Sequence, residues 1–277
     1  MSLPAPRFLA IAAVLTLPAP VARAEAPLLA SQVPQLAITA LADLPAASPA
    51  NADRQLCDHL FVGTPATPAG QATMAKGWAV TGEAAFGPYT AVSFIGKAEA
   101  ATSGTCELTQ GNVGIWSGNQ MVALVFTQNP DDDLIGSVIP SGLGLRILSG
   151  SVVPGTVADL RLIGGTDIAV TPPALSEPVC GGRAEVPLVE GMPIDMARKL
   201  LVDYGWHAQP QDAPGVGMAA DIAARGVTEV EDCSGTGFGF CSYLYVGPAG
   251  GLSVITAGEI WDGGLPTVTG YAMTCAS

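Results

Sequence analysis

Positive charge is sparse in this chain, histidine sparser still, and no two cysteines stand close enough to open a metal-binding knuckle. Eleven lysines and arginines face 24 aspartates and glutamates, a formal net charge of −13. A chain this acidic repels DNA, RNA and anionic lipid, so none of these is an expected partner. His59 and His207 are the only histidines. A Ser-His-Asp or Cys-His system would have to be built on one of them, and Asp58 beside His59 along the chain is not thereby an orienting partner in space. No G-x-S-x-G elbow and no Walker A sequence occurs. Gly215-Val-Gly217-Met-Ala-Ala220 has glycines spaced like a dinucleotide fingerprint. It follows Pro214 instead of a strand, however, and lacks a βαβ frame. Without a C-x₂₋₄-C pair no zinc site is expected. Asp131-Asp132-Asp133 lack the alternating spacing of a calcium loop and read as a solvated turn after Asn129-Pro130. After the N-terminus no apolar run reaches the roughly 20 residues of a membrane span. These absences leave no expected catalytic residue, metal ligand or cofactor.

The N-terminus itself reads as an export signal. Arg7 supplies a positive start, Phe8 to Leu17 form a short apolar core, and Ala22-Arg23-Ala24 offers small residues for cleavage after Ala24. Pro4, Pro6, Pro18 and Pro20 oppose a long helix there. The first cysteine is Cys57, too far downstream for a lipoprotein anchor. Cleavage removes two basic residues and no acidic one, which moves the net charge from −13 to −15. The expected location is the periplasm or the medium. Cysteine use agrees, because Cys57, Cys106, Cys180, Cys233, Cys241 and Cys275 can form three bridges in an oxidising compartment. Proximity suggests Cys233–Cys241. Cys57–Cys106 and Cys180–Cys275 follow only if each bridge stays within its own domain.

Charged residues are 13% of the chain, against 34 glycines and 23 prolines, a texture of short strands and turns. Residues 25–55 read as an Ala/Pro-rich lead-in with one strand at Leu36 to Ala40. Residues 56–170 read as an all-β domain, an antiparallel sandwich or barrel, with strands near 91–95, 112–116, 120–127, 134–139, 145–148, 158–163 and 167–170. Ser117-Gly118-Asn119 signals a hairpin. No helix is expected in this region. A Pro-rich linker spans 171–184. In residues 185–277 the texture becomes α+β. Ile194, Ala197, Leu200, Leu201 and Tyr204 have helical spacing after Pro193, Met218 to Arg225 suggests a second short helix, and strands follow at 241–246, 252–257 and 267–275.

Val186-Pro187-Leu-Val-Glu-Gly191, followed by Ala197, Leu200 and Gly205, resembles the opening of a PASTA domain, the small module of penicillin-binding proteins and Ser/Thr kinases. The resemblance covers about twenty residues, 186–205. It implies a strand–turn–helix and a cell-envelope setting, and it assigns no ligand residue. The stretch from Cys233 to Cys241, the second helix and the Cys275 terminus depart from that family.

The most distinctive segment is Cys233-Ser-Gly-Thr-Gly-Phe-Gly-Phe-Cys241. A disulfide would turn this mobile glycine loop into a preorganised one presenting Ser234, Thr236, Phe238 and Phe240, or would simply staple a weak hairpin. Trp206 and Trp261 would extend such a surface only if exposed. Asp232-Cys233-Ser234-Gly235 is similar to the Asp-Ser/Thr-Gly turn of aspartic proteases, but a cysteine intervenes and no second copy exists. The leading expectation is a non-catalytic binding protein recognising a wall component or another exported protein. A carboxylate-dependent hydrolase is the first alternative, since Glu229 and Glu231 would share a face if that segment is a strand. A small-protein inhibitor using the bridged loop is the second.

Overall fold

Strand Gln120–Thr127 shows how the pattern becomes structure. Ala123, Val125 and Thr127 are buried, and Leu124 and Phe126 between them are less so, as the two-residue period of a strand requires. A computed structural model describes residues 26–49, 54–212, 215–235, 237–260 and 264–276. The expected leader, 1–24, lies outside these. The described chain is mostly β, in several sheets without barrel closure.

Two five-stranded sheets come from the first two thirds of the chain. Their strands are β1 (Leu29–Ser31), β2 (Leu36–Ala40), β3 (Ala79–Phe86), β4 (Tyr89–Ile95), β7 (Asn112–Ser117), β8 (Gln120–Thr127), β9 (Ser137–Ser141), β10 (Gly144–Leu148), β11 (Thr156–Ile163) and β12 (Asp167–Thr171). Between them in sequence, β5 (Lys97–Ala100) and β6 (Cys106–Thr109) form a separate hairpin. One sheet has the order β2-β8-β7-β4-β3 and the other β1-β12-β11-β10-β9. Leu36, Phe86, Val113 and Val125 from the first meet Leu145, Ile147, Leu160 and Val170 from the second in one core. The lead-in is built into both sheets, for β2 pairs with β8 while β1 pairs in parallel with β12. The expected hairpin forms at Gly118-Asn119, with Gly118 at φ +59°. Just before it a bulge opposite Ile115/Trp116 leaves Val122 without a β7 partner, so that Met121 joins Trp116 on the face opposite Ile115 and Ala123.

That opposite face is covered by a helix the sequence reading does not include, α1 (Pro68–Ala75). Its sequence, PAGQATMA, carries no large apolar stripe. What secures it is capping and a distant carboxylate. Pro68 stands in the first turn, and the Thr67 hydroxyl accepts the Gly70 N–H at 3.0 Å. Glu83 of β3 accepts the Ala66 N–H at 2.7 Å, the Thr67 N–H at 3.0 Å and the Thr67 hydroxyl.

Within the stretch read as a linker, Ser176–Val179 forms β13 and pairs with β14 (Ala184–Pro187). This hairpin rests on the outer face of the second sheet through a buried ion cluster. Arg146 Nε donates to Asp159 Oδ1 at 3.1 Å, and Arg146 Nη1 donates to Glu177 Oε1 at 3.2 Å. Asp159 also accepts from Arg161 and from the Ala174 N–H. Burial pushes the Glu177 carboxyl above its ordinary range, a shift that the Arg146 charge opposes.

The remaining residues gather around a second core. Helices α2 (Ile194–Asp203) and α3 (Met218–Ala224) pack on a sheet of β15 (His207–Ala208), β16 (Val230–Cys233), β17 (Cys241–Gly247), β18 (Gly250–Ala257) and β19 (Thr267–Cys275). Ile194, Ala197 and Leu201 face inward as their spacing predicts. Pro193 stands one position earlier than expected, at the cap. Trp206 is fully buried and donates its indole N–H to the Glu185 carbonyl at 2.8 Å, so it adds nothing to an exposed surface. The cysteines pair as 57–106, 180–275 and 233–241. Among the described residues no helix is long and apolar enough to cross a membrane.

Candidate functional site

The bridged loop is held by more than its disulfide. Cys233 and Cys241 are cross-strand neighbours on β16 and β17, with Cα atoms 4.1 Å apart. One residue further out, the Ser234 N–H donates to the Phe240 carbonyl at 2.7 Å, and the Phe240 N–H donates to the Ser234 hydroxyl at 3.0 Å. The Gly258 N–H, from beyond β18, donates to the Phe238 carbonyl at 2.7 Å. Gly237 and Gly239 both adopt positive φ, +68° and +59°. Residues with a Cβ avoid that region, which explains the second and third glycines of the motif. The Gly-Phe-Gly-Phe run is thereby a defined backbone shape.

The loop sits over a cleft of about 360 Å³. Ser234 and the loop glycines form one wall, Met218 and Asp221 of α3 a second, and Glu259 and Ile260 a third. Asp221 and Glu259 are both exposed, and neither carboxylate has an ion-pair or hydrogen-bond partner among the described residues. The aromatic rings stand outside this lining. Phe238 is half-buried, Phe240 is 36% exposed, and their centroids are 6.0 Å apart. Nearby in sequence, Val216 just before α3 is 92% exposed. Of the residues singled out in the loop, Ser234 contacts the cleft, Phe238 and Phe240 flank it, and Thr236 lies outside the described residues, as does Trp261. Asp221 and Glu259 carry no sequence signal linking them to the loop, because only the packing of α3 and the end of β18 brings them there.

Glu229 and Glu231 are not brought together on one strand face. β16 begins at Val230, and Glu229 lies in the turn before it. Glu229 is fully buried, and its two oxygens are occupied by Arg198 Nε and Nη2, both at 3.0 Å, and by the Tyr245 hydroxyl at 2.8 Å. Tyr245 is held protonated well above its ordinary range, first by burial and then by the Glu229 charge. Burial pushes neighbouring Tyr243 up to about 12. Glu231 is half-exposed and separate. Both Glu229 oxygens are thus engaged within the protein, and the side chain has no exposed surface. The expected turn runs from Asn129 to Asp132, closed by the Asp132 N–H on the Asn129 carbonyl at 3.1 Å and by Asn129 Nδ2 donating to Asp132 Oδ1 at 2.7 Å, and Asp133 follows it. Among the described residues no cluster of His, Cys, Asp and Glu is placed to hold a metal ion. His207 is exposed on β15, and His59 is exposed on a 3₁₀ turn over Gln55–Leu60.

Comparison with protein-family models, curated proteins and solved structures finds no match to this chain.

Proposed function

We propose that this chain is an exported, non-catalytic binding protein of the cell envelope, periplasmic or secreted, built as a β-sandwich domain followed by an α+β domain with a PASTA-like opening. The three bridges support an oxidising compartment. The β14–α2 sequence, a strand leading through a turn into a helix, is compatible with the PASTA resemblance. The observation that carries the reading is the cleft beneath the bridged loop. Two carboxylates without a partner among the described residues, Asp221 and Glu259, share its lining with glycine backbone, and apolar side chains stand at Met218, Ile260 and the adjacent Phe240. A preorganised loop lowers the ordering cost of binding. Exposed carboxylates beside an aromatic ring suit a partner that presents an amino group next to an apolar stretch, as wall peptides and exported proteins do.

The test is calorimetric titration of the leader-free protein with soluble wall peptides and amine-bearing peptides, each compared with its N-acetylated form. Saturable binding that acetylation weakens, and that the Asp221→Asn/Glu259→Gln double variant weakens about tenfold, is the expected result. Equal binding of free and acetylated forms, or no binding to any member of the panel, would remove the reading.

A further inference from the structure

A second cleft, of about 370 Å³, opens on the other side of the molecule's chemistry: beside the Cys57–Cys106 bridge, with almost no charge. Its walls come from the 3₁₀ turn carrying His59 and Leu60, from β6, and from the segment following β10 that carries Ser149, Ser151 and Val152. Two backbone contacts fix its floor. A Cβ on Gly150 would fall 2.1 Å from the Leu108 carbonyl oxygen, and one on Gly136 would fall 2.4 Å from the Ser149 carbonyl oxygen. Only glycine allows these approaches. The Leu108 N–H then donates to the Gly150 carbonyl at 2.7 Å, joining the two walls.

The lining hydroxyls have a definite polarity. Ser151 donates its single proton to the Val153 carbonyl at 3.0 Å. In the 2.6 Å contact between Ser149 and Ser151, Ser149 is therefore the donor. The Ser149 oxygen in turn accepts the Gly155 N–H at 3.0 Å. Thr105 donates to the Thr102 carbonyl at 2.7 Å, and Thr81 donates to the Ser93 hydroxyl at 3.0 Å. Four hydroxyls thus have their protons committed to the protein and offer a ligand only lone pairs. Ser137 and a ring N–H of His59 are the side-chain donors left. Among the described residues lining the cleft, His59 is the sole ionisable side chain. The same proton directions leave Ser149 and Ser151 without a base, so this is no Ser-His nucleophile.

We propose that this cleft binds an uncharged, mainly apolar molecule that donates a hydrogen bond, such as a phenol or another hydroxylated ring. Its apolar walls take the ring, and the hydroxyl lone pairs accept its O–H. Charged ligands are disfavoured because the lining holds no carboxylate, lysine or arginine to compensate their loss of water.

Titrating the leader-free full chain at neutral pH with 2-naphthol, 2-methoxynaphthalene and 2-naphthoate, followed by amide-resolved NMR, tests this. The three share one ring system and differ in donor and charge. 2-Naphthol should shift the amides of Leu108 and of 149–152 saturably. It should bind about fivefold more tightly than the methyl ether, the usual worth of one hydrogen bond, and naphthoate should bind more weakly than either. Val152→Trp or Leu60→Trp, at half-buried and partly exposed positions, should abolish the shifts with thermal midpoint unchanged. Equal affinity for naphthol and its ether, preference for naphthoate, or shifts mapping elsewhere would overturn the assignment. The wild-type shift map decides even if both variants misfold.

Discussion

Glu229 has no exposed surface, whereas its partner Arg198 keeps about 29% of its side chain in water. The two halves of this ion pair therefore carry unequal risk. Removing the arginine strands a carboxylate in the core with only Tyr245 as donor. Breaking a buried pair in this way costs about 3–5 kcal/mol. Removing the glutamate charge leaves an arginine that can turn to solvent and an amide oxygen that still accepts from Tyr245. Urea unfolding at pH 7 should show Arg198→Ala losing about 3 kcal/mol and Glu229→Gln about 1 kcal/mol. The opposite ranking would mean that Arg198 is the more deeply committed residue. The chemistry of Glu229 was not readable along the chain, because its partners are 31 positions before it and 16 after it.

Among the elements, the strands of the second core separate two uses of glycine. Gly247 ends β17 against Trp206, where a Cβ would lie 2.4 Å from ring carbon Cε3. Gly251, on the neighbouring strand β18, has nothing within 4 Å of the same position. Gly247→Ala should cost about 2 kcal/mol by overpacking a buried indole. Gly251→Ala should be neutral or gain about 0.5 kcal/mol from a stiffer unfolded chain. Paired thermal melts check the contrast. The bridged loop makes a different prediction. Closing a short loop is worth about 2–3 kcal/mol, so Cys233→Ser/Cys241→Ser should lose about that much. It should also speed amide exchange at Ser234 and Phe240, whose mutual hydrogen bonds stand just outside the bridge. Unchanged exchange would assign the ordering to the hydrogen bonds and not to the disulfide. The strands of both cores were largely legible, since β-branched runs and turn residues mark them. Helix α1 was not, because its stability comes from the Thr67 cap and from Glu83 on a strand 16 residues later.

For the molecule as a whole, the polar junction between the second sheet and the β13–β14 hairpin is the place where pH should act. The folded state holds the Glu177 proton more tightly than the unfolded chain does, since burial raises its carboxyl. The linkage sign follows. As pH rises from the ordinary carboxylate value through the raised one, the unfolded state releases its proton first and stability falls. Glu177→Gln cannot titrate, and Arg146 retains Asp159. The difference in unfolding free energy between wild type and Glu177→Gln should therefore shift in favour of the variant between about pH 4.5 and pH 7. A constant difference across that range would show that Arg146 compensates the burial fully. Tryptic mapping without reductant should also recover the three bridges, with Cys180 joined to Cys275 across 95 residues.

The order of β-rich and α+β regions, most strand positions, helix α2, the Gly118 hairpin and the Cys233–Cys241 bridge were set by local chemistry: side-chain period, turn residues, and the close spacing of those two cysteines. Tertiary structure alone decided that the lead-in joins both sheets, that Glu229 is a core ion, that Glu177 meets Arg146, and that Asp221 and Glu259 line one cleft. Each of these depends on groups distant in sequence becoming neighbours. The free energy of such a contact resides in burial and in partner geometry, which no local pattern of residues encodes.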